Sequence, residues 1–132
     1  PKKPDISDQF GIHYCKSSLI EEKLKQGADI DLLDKNGNTP LMLNLIRLKK
    51  MWAAGNTGVL FNEIEQRVII FLKNNASVHI KNNWGKTALE MMEPIRNPEI
   101  EAYRNAALLK SFMGESDNES VLIKNKKRLA GI

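Results

Sequence analysis

One cysteine, two histidines and a 6% share of aromatics leave this 132-residue chain short of groups that carry redox, metal or stacking chemistry. Cys15, being alone, cannot close an internal disulfide, and a lone thiol suits a reducing compartment. A zinc site takes about four ligands; His13, Cys15 and His79 are too few, and His79 stands far from the other two. Long apolar runs are missing too. The densest, Val68-Ile69-Ile70-Phe71-Leu72, is five residues long, where a membrane-spanning helix needs about 20. Charge of one sign is not in large excess: 20 Lys+Arg against 16 Asp+Glu give a net +4, as on an ordinary soluble surface. The polar opening Pro1-Lys2-Lys3-Pro4 carries no signal-peptide pattern. It also lacks an initiator Met, which fits a processed chain or a piece of a larger one. What the chain does have is a 42% hydrophobic share, enough for a packed core built mainly of Leu, Ile, Val and Met.

The chain also repeats itself. Residues 24–41 align without a gap to residues 72–89, at an offset of 48, with six identities. Leu24-Lys25-Gln26-Gly27-Ala28-Asp29-Ile30 answers to Leu72-Lys73-Asn74-Asn75-Ala76-Ser77-Val78, and Asp34 to Leu41 answers to Asn82 to Leu89. A self-match at a period of a few tens of residues marks stacked repeats, which offer binding surfaces more often than reaction centres.

Local signals divide these stretches. Gly27 and Asn75 stand just past apolar-periodic segments, where a helix ends in a left-handed residue. Thr39-Pro40 is a helix start, with Thr capping free amides and Pro at the first helical position; Thr87-Ala88 repeats it. Between the ends and the starts lie Asn- and Gly-rich turns, Asp34-Lys35-Asn36-Gly37 and Asn82-Asn83-Trp84-Gly85, read as protruding hairpin-like loops. Leu41, Leu45, Leu48 and Trp52 mark one helix face, stopped by Gly55-Asn56-Thr57-Gly58. Leu60, Ile64, Val68 and Phe71 mark the next helix, ending near Asn74. A short helix over 87–93 is closed by Pro94. Pro98 opens another, with apolar positions at Tyr103, Ala106, Ala107 and Leu109 to Met113. Ser116 with Glu119 forms a capping box for a last helix over 116–129.

The order loop, Gly-x-Thr-Pro-Leu, helix, turn, helix, Gly-Ala-Asp-Ile resembles the ankyrin repeat. The residues that carry the resemblance are Gly37-Asn38-Thr39-Pro40-Leu41, Gly85-Lys86-Thr87-Ala88-Leu89, Gly27-Ala28-Asp29-Ile30 and Ala76-Ser77-Val78. It covers roughly residues 6–113 and implies an all-α solenoid of helix-turn-helix pairs with short hairpin-like loops, in about three repeats: 5–33, 34–81 and 82–113. Phe10-Gly11-Ile12 is a degenerate trace of the first repeat's motif. Residues 114–132 form a helical tail or linker. The middle repeat exceeds the usual ~33 residues, with the surplus between Leu48 and Ile64. Apolar periodicity enters that insert from both sides, so both helices should be lengthened by about two turns; a floppy loop is the rival reading. Where the family has a His after Thr-Pro-Leu, Met42 and Glu90 stand instead, which removes a Thr–His bond. Polar outer faces are expected at both ends of the stack, from Glu21, Glu22, Lys23 and Lys25 at one and from the helices after Pro98 at the other.

Other motifs reduce to structure. Gly85-Lys86-Thr87 resembles the end of a phosphate loop, but Ile80 stands where the pattern needs another Gly. Carboxylates such as Glu63, Glu65, Glu90, Glu93, Glu99 and Glu101 fall among Lys and Arg on helix surfaces. Lys124, Lys126, Lys127 and Arg128 form a basic cluster without interleaved aromatics, so base stacking is not indicated. Two tryptophans stand out. Trp84 replaces the polar Asn36 at a loop tip, so either a partner covers it or it folds back onto a neighbouring loop or the last repeat. Trp52 packs between lengthened helices or faces a partner.

The resemblance implies a non-enzymatic protein–protein interaction module, monomeric, intracellular and cytoplasmic, with no cofactor, metal, nucleic acid, membrane or small-molecule substrate. Its expected contact residues are Lys35, Asn36, Asn38, Asn83, Trp84 and Lys86 on the loop tips and concave face, with Trp52 on a second surface. The alternative is the recognition part of a larger multidomain protein, such as a bacterial effector delivered into host cells.

Overall fold

The computed structural model describes residues 12–113. Five helices lie wholly within them: α1 (Ser17–Lys25), α2 (Pro40–Ala53), α3 (Val59–Lys73), α4 (Ala88–Met92) and α5 (Pro98–Phe112). There is no strand among the described residues. The helices form two layers. In one, α3 lies between α1 and α5; in the other, α2 lies beside α4, and α2 packs along α3. The expected helix over 116–129, the basic cluster at 124–128, the tail from 114 onward and the trace at Phe10-Gly11 lie outside the described residues.

Several helix ends fall where local chemistry dictates. Thr39 caps α2 by accepting from the Met42 amide, and Pro40 takes the first helical position. Leu41, Leu45 and Leu48 are fully buried because spacings of four and three residues keep them on one face. Against them stand Ile64, Val68 and Phe71 of α3, also fully buried; each such side chain contributes roughly 2 kcal/mol of transfer free energy. α1 and α3 end alike. The amides of Gly27 and Ala28 return to the carbonyls of Leu24 and Lys23, as those of Asn75 and Ala76 return to Leu72 and Phe71. Gly27 and Asn75 both take positive φ, 99° and 64°.

The segment between Leu48 and Ile64 is helical from both sides: α2 runs to Ala53, α3 begins at Val59, and only residues 54–58 turn between them. The turn closes as the other helix ends do, with Asn56 N donating to Met51 O. At this tip Trp52 leans on Phe61, ring centres 6.2 Å apart and planes 38° from parallel.

The N-terminus of α1 is capped from a distance. Lys16 supplies no side-chain cap; instead Glu63 of α3 accepts from the Ser17 amide at 2.7 Å and the Ser17 hydroxyl at 2.8 Å. Arg67, one turn along α3, holds the same carboxylate at 2.9 Å. Glu63 was expected on a solvated surface; it is instead the joint between α1 and α3.

The far end departs from expectation. α5 forms from Pro98 as anticipated, but Ile100 is its only buried residue, and Leu108, Leu109, Phe112 and Met113 are exposed. The polar outer face expected after Pro98 is therefore apolar over its last turns. At the opposite end Glu21, Glu22 and Lys25 are exposed and Lys23 half-buried, as expected.

Candidate functional site

The two aligned loops are built by one hydrogen-bond plan. In the first, Asp34 Oδ1 accepts from the amides of Asn36 and Asn38, and the Asp34 amide donates to Asn38 O. In the second, Asn82 Oδ1 accepts from the amides of Trp84 and Lys86, and the Asn82 amide donates to Lys86 O. Gly37 and Gly85 turn each loop at φ 76° and 75°. An Asx side chain bonding two residues ahead is the usual way to hold such a turn.

The loops also lie against each other. Asn83 N donates to Asn36 O at 3.0 Å, and Asn83 Nδ2 to Lys35 O at 3.2 Å. Below the surface Asn82 Nδ2 donates to Asn38 Oδ1. The line continues inward: Asn38 O accepts from His13 Nε2 at 3.1 Å. A carbonyl only accepts, so that nitrogen carries the proton. Asn44 Nδ2 in turn donates to His13 O and Pro40 O. His13, which had no assigned role beyond being a poor metal ligand, thus ties the chain ahead of α1 to the first loop.

Asn38 is accordingly not a surface residue. It is 3% exposed, because its side chain serves the loop-to-loop bond; the expectation that it contacts a partner is corrected here. Lys35, Asn83 and Lys86 are exposed and Asn36 half-buried. Trp84 is 65% exposed. Trp52 lies against Phe61 and is 54% exposed.

Trp84 overhangs an open groove of about 670 Å³. One wall is α2, through Leu45, Ile46, Lys49, Lys50 and Ala53. The other is the second loop and α4, through Asn82, Trp84, Lys86, Glu90, Met91 and Pro94. The groove-facing stripe of α2 lies about 120° around the helix from its Leu41-Leu45-Leu48 core face, at 100° per residue. The groove brings together Trp84 and Lys86 from the anticipated set, while Trp52 lies outside its lining. Ile46, Lys49, Lys50 and Met91 were missed. For the three on α2 the signal is a second, off-core stripe, and it has meaning only once α4, with Met91, is known to lie alongside.

The groove's charge is mainly positive. Glu90 is its one carboxylate, tied to α4's first turn by accepting from the Thr87 amide and hydroxyl at 2.9 and 3.2 Å. The Thr87 amide, then its hydroxyl, with Lys86 and Lys81 nearby, hold the Glu90 carboxyl below the usual range. Thr87 in return accepts from the Glu90 amide, completing a capping box. Among the described residues, no group of three or more His, Cys, Asp or Glu is placed to hold a metal, and no helix is long and apolar enough to cross a membrane.

No family model and no curated protein matches the chain. The described residues form an all-α fold whose two like-built loops lie against each other, the second lining a basic groove.

Proposed function

We propose that this chain is an ankyrin-type stack of three helix pairs, the middle pair lengthened, that binds a protein partner in the groove between α2 and α4. The loop-to-loop register supports the stack: residues 48 apart in sequence hold equivalent bonds, and Asn83 sits directly on Lys35 and Asn36. The observation that carries the binding role is Trp84. A Trp two-thirds exposed at a hydrogen-bonded loop tip is costly to keep wet, and Trp is the residue most enriched where binding energy concentrates. Its backbone is already fixed by Asn82 and the neighbouring loop, so little ordering entropy is lost when a partner arrives.

The test is affinity capture from the native cell with the wild-type chain and with Trp84→Ala, Lys35→Glu and, as a control on the far helix, Phe112→Ser. Truncating a central anchor is expected to weaken capture of the groove partner by roughly 30-fold or more, with Phe112→Ser unchanged. Capture indifferent to Trp84→Ala would remove the groove from the account.

A further inference from the structure

Resting on that reading, we infer that the groove takes a short peptide segment that carries carboxylates beside one bulky apolar side chain. Two features of the walls set this chemistry. The first is charge. Lys49, Lys50 and Lys86 line the groove, and Lys81 lies close enough to act on Glu90. Among the described residues none of these four lysines makes an ion pair; the two pairs present are Arg67–Glu63 and Arg104–Glu93. Glu90, the single opposing carboxylate, has one oxygen committed to Thr87. An excess of unpaired ammonium groups around a concave apolar surface attracts anionic partners and disfavours basic ones.

The second feature is what lies between the charges. Ile46 and Met91 are half-buried and face the groove beneath an exposed Trp84. Such a surface accepts one large aliphatic or aromatic side chain, and the flexible Met lets it accommodate more than one shape. Carboxylates are the anionic side chains that an unmodified peptide carries, and ammonium groups meet them as single charges. No arginine lines the groove, so no bidentate guanidinium fork is present for either carboxylate or phosphate. Nucleic acid fits less well, since single strands are held by several stacking aromatics and Trp84 is the only one in the lining.

The probe is a phage-displayed library of short random peptides, selected on the full chain. Selected sequences are then made as labelled peptides and titrated against wild type, Trp84→Ala and the triple variant Lys49→Gln/Lys50→Gln/Lys86→Gln. Unchanged circular dichroism and melting of both variants establishes that they fold. The expected result is enrichment of Asp and Glu around one Leu, Phe or Met. The triple variant should lose roughly tenfold in affinity, three exposed pairs at a modest energy each, with weaker binding at higher salt. Peptides that respond to Trp84→Ala but are neutral or basic, and ignore the triple variant, would overturn the acidic ligand and leave the groove reading standing. Peptides indifferent to both variants would overturn both. No enrichment, or displacement of the peptides by single-stranded oligonucleotide at physiological salt, would overturn the acidic-peptide inference alone, since capture from the cell tests the groove separately.

Discussion

Asn82 Nδ2 donates to Asn38 Oδ1 at 2.9 Å, and both residues are buried. This one bond joins the first loop to the second beneath their exposed tips. Asn38→Ala leaves the Asn82 amide without its acceptor and is expected to cost about 1–3 kcal/mol, read as a shift in the urea midpoint. Asn82→Ala should cost more, because it also releases the Trp84 and Lys86 amides. The double variant should cost less than the sum, since both changes remove the same bond. Strict additivity would show that the Asn38–Asn82 bond is not made in solution.

Gly37 and Gly85 have the same backbone conformation, yet their substitutions should differ. At φ 75° an Ala at position 85 meets open space, so only backbone strain counts, about 1 kcal/mol. At position 37 a Cβ would sit 2.6 Å from Asn83 Oδ1 and 2.9 Å from Asn83 N. The side-chain atom can swing aside; the backbone amide is bonded to Asn36 O and cannot. Gly37→Ala should therefore lower the melting temperature clearly more than Gly85→Ala. Equal losses would mean the loops are not in contact in solution.

The Glu63 joint predicts a pH dependence. Burial pushes the Glu63 carboxyl up, but the Ser17 amide, the Arg67 guanidinium and the Ser17 hydroxyl together hold it below the usual range. A folded-state value below the unfolded one means the stabilisation is present above the unfolded pKa, and is lost as pH falls through the folded one. Stability should drop on acidification below the ordinary carboxylate range, and Glu63→Gln should flatten that part of the profile. A Glu63→Gln profile parallel to wild type would count against the joint.

Cys15 is buried, and burial pushes its thiol above the ordinary value despite Lys23 and Arg67 nearby. Since the thiolate is the reactive form, labelling by a thiol reagent at neutral pH should be slow in the native chain and fast in urea. Rapid native labelling would mean the chain ahead of α1 does not stay packed on the core.

The helices and turns were legible because each depends on residues a few positions apart. Thr39 caps the amide three residues on, Gly27 and Asn75 close the turns behind them, and Asp34 and Asn82 fold back on their own loops. The lengthening of α2 and α3 was readable from Met51, Trp52, Leu60 and Phe61 for the same reason. Position in a repeat misled only where it stood in for distance. Asn38 was assigned to the surface because its loop is at the surface, while its side chain turns inward to a partner 44 residues away.

From its residues alone the chain determined where α2 and α4 begin, where α1 and α3 end, the apolar face of α2 and α3, and that two loops share one design; those are short-range matters of backbone angles and caps. Tertiary structure decided the rest. Glu63 caps α1 across 46 residues, His13 reaches the first loop, and Ile46, Lys49 and Met91 become one surface with Trp84, because α4 comes to lie beside α2. Which exposed side chains share a groove depends on how two helices pack, and no window of neighbouring residues contains that information.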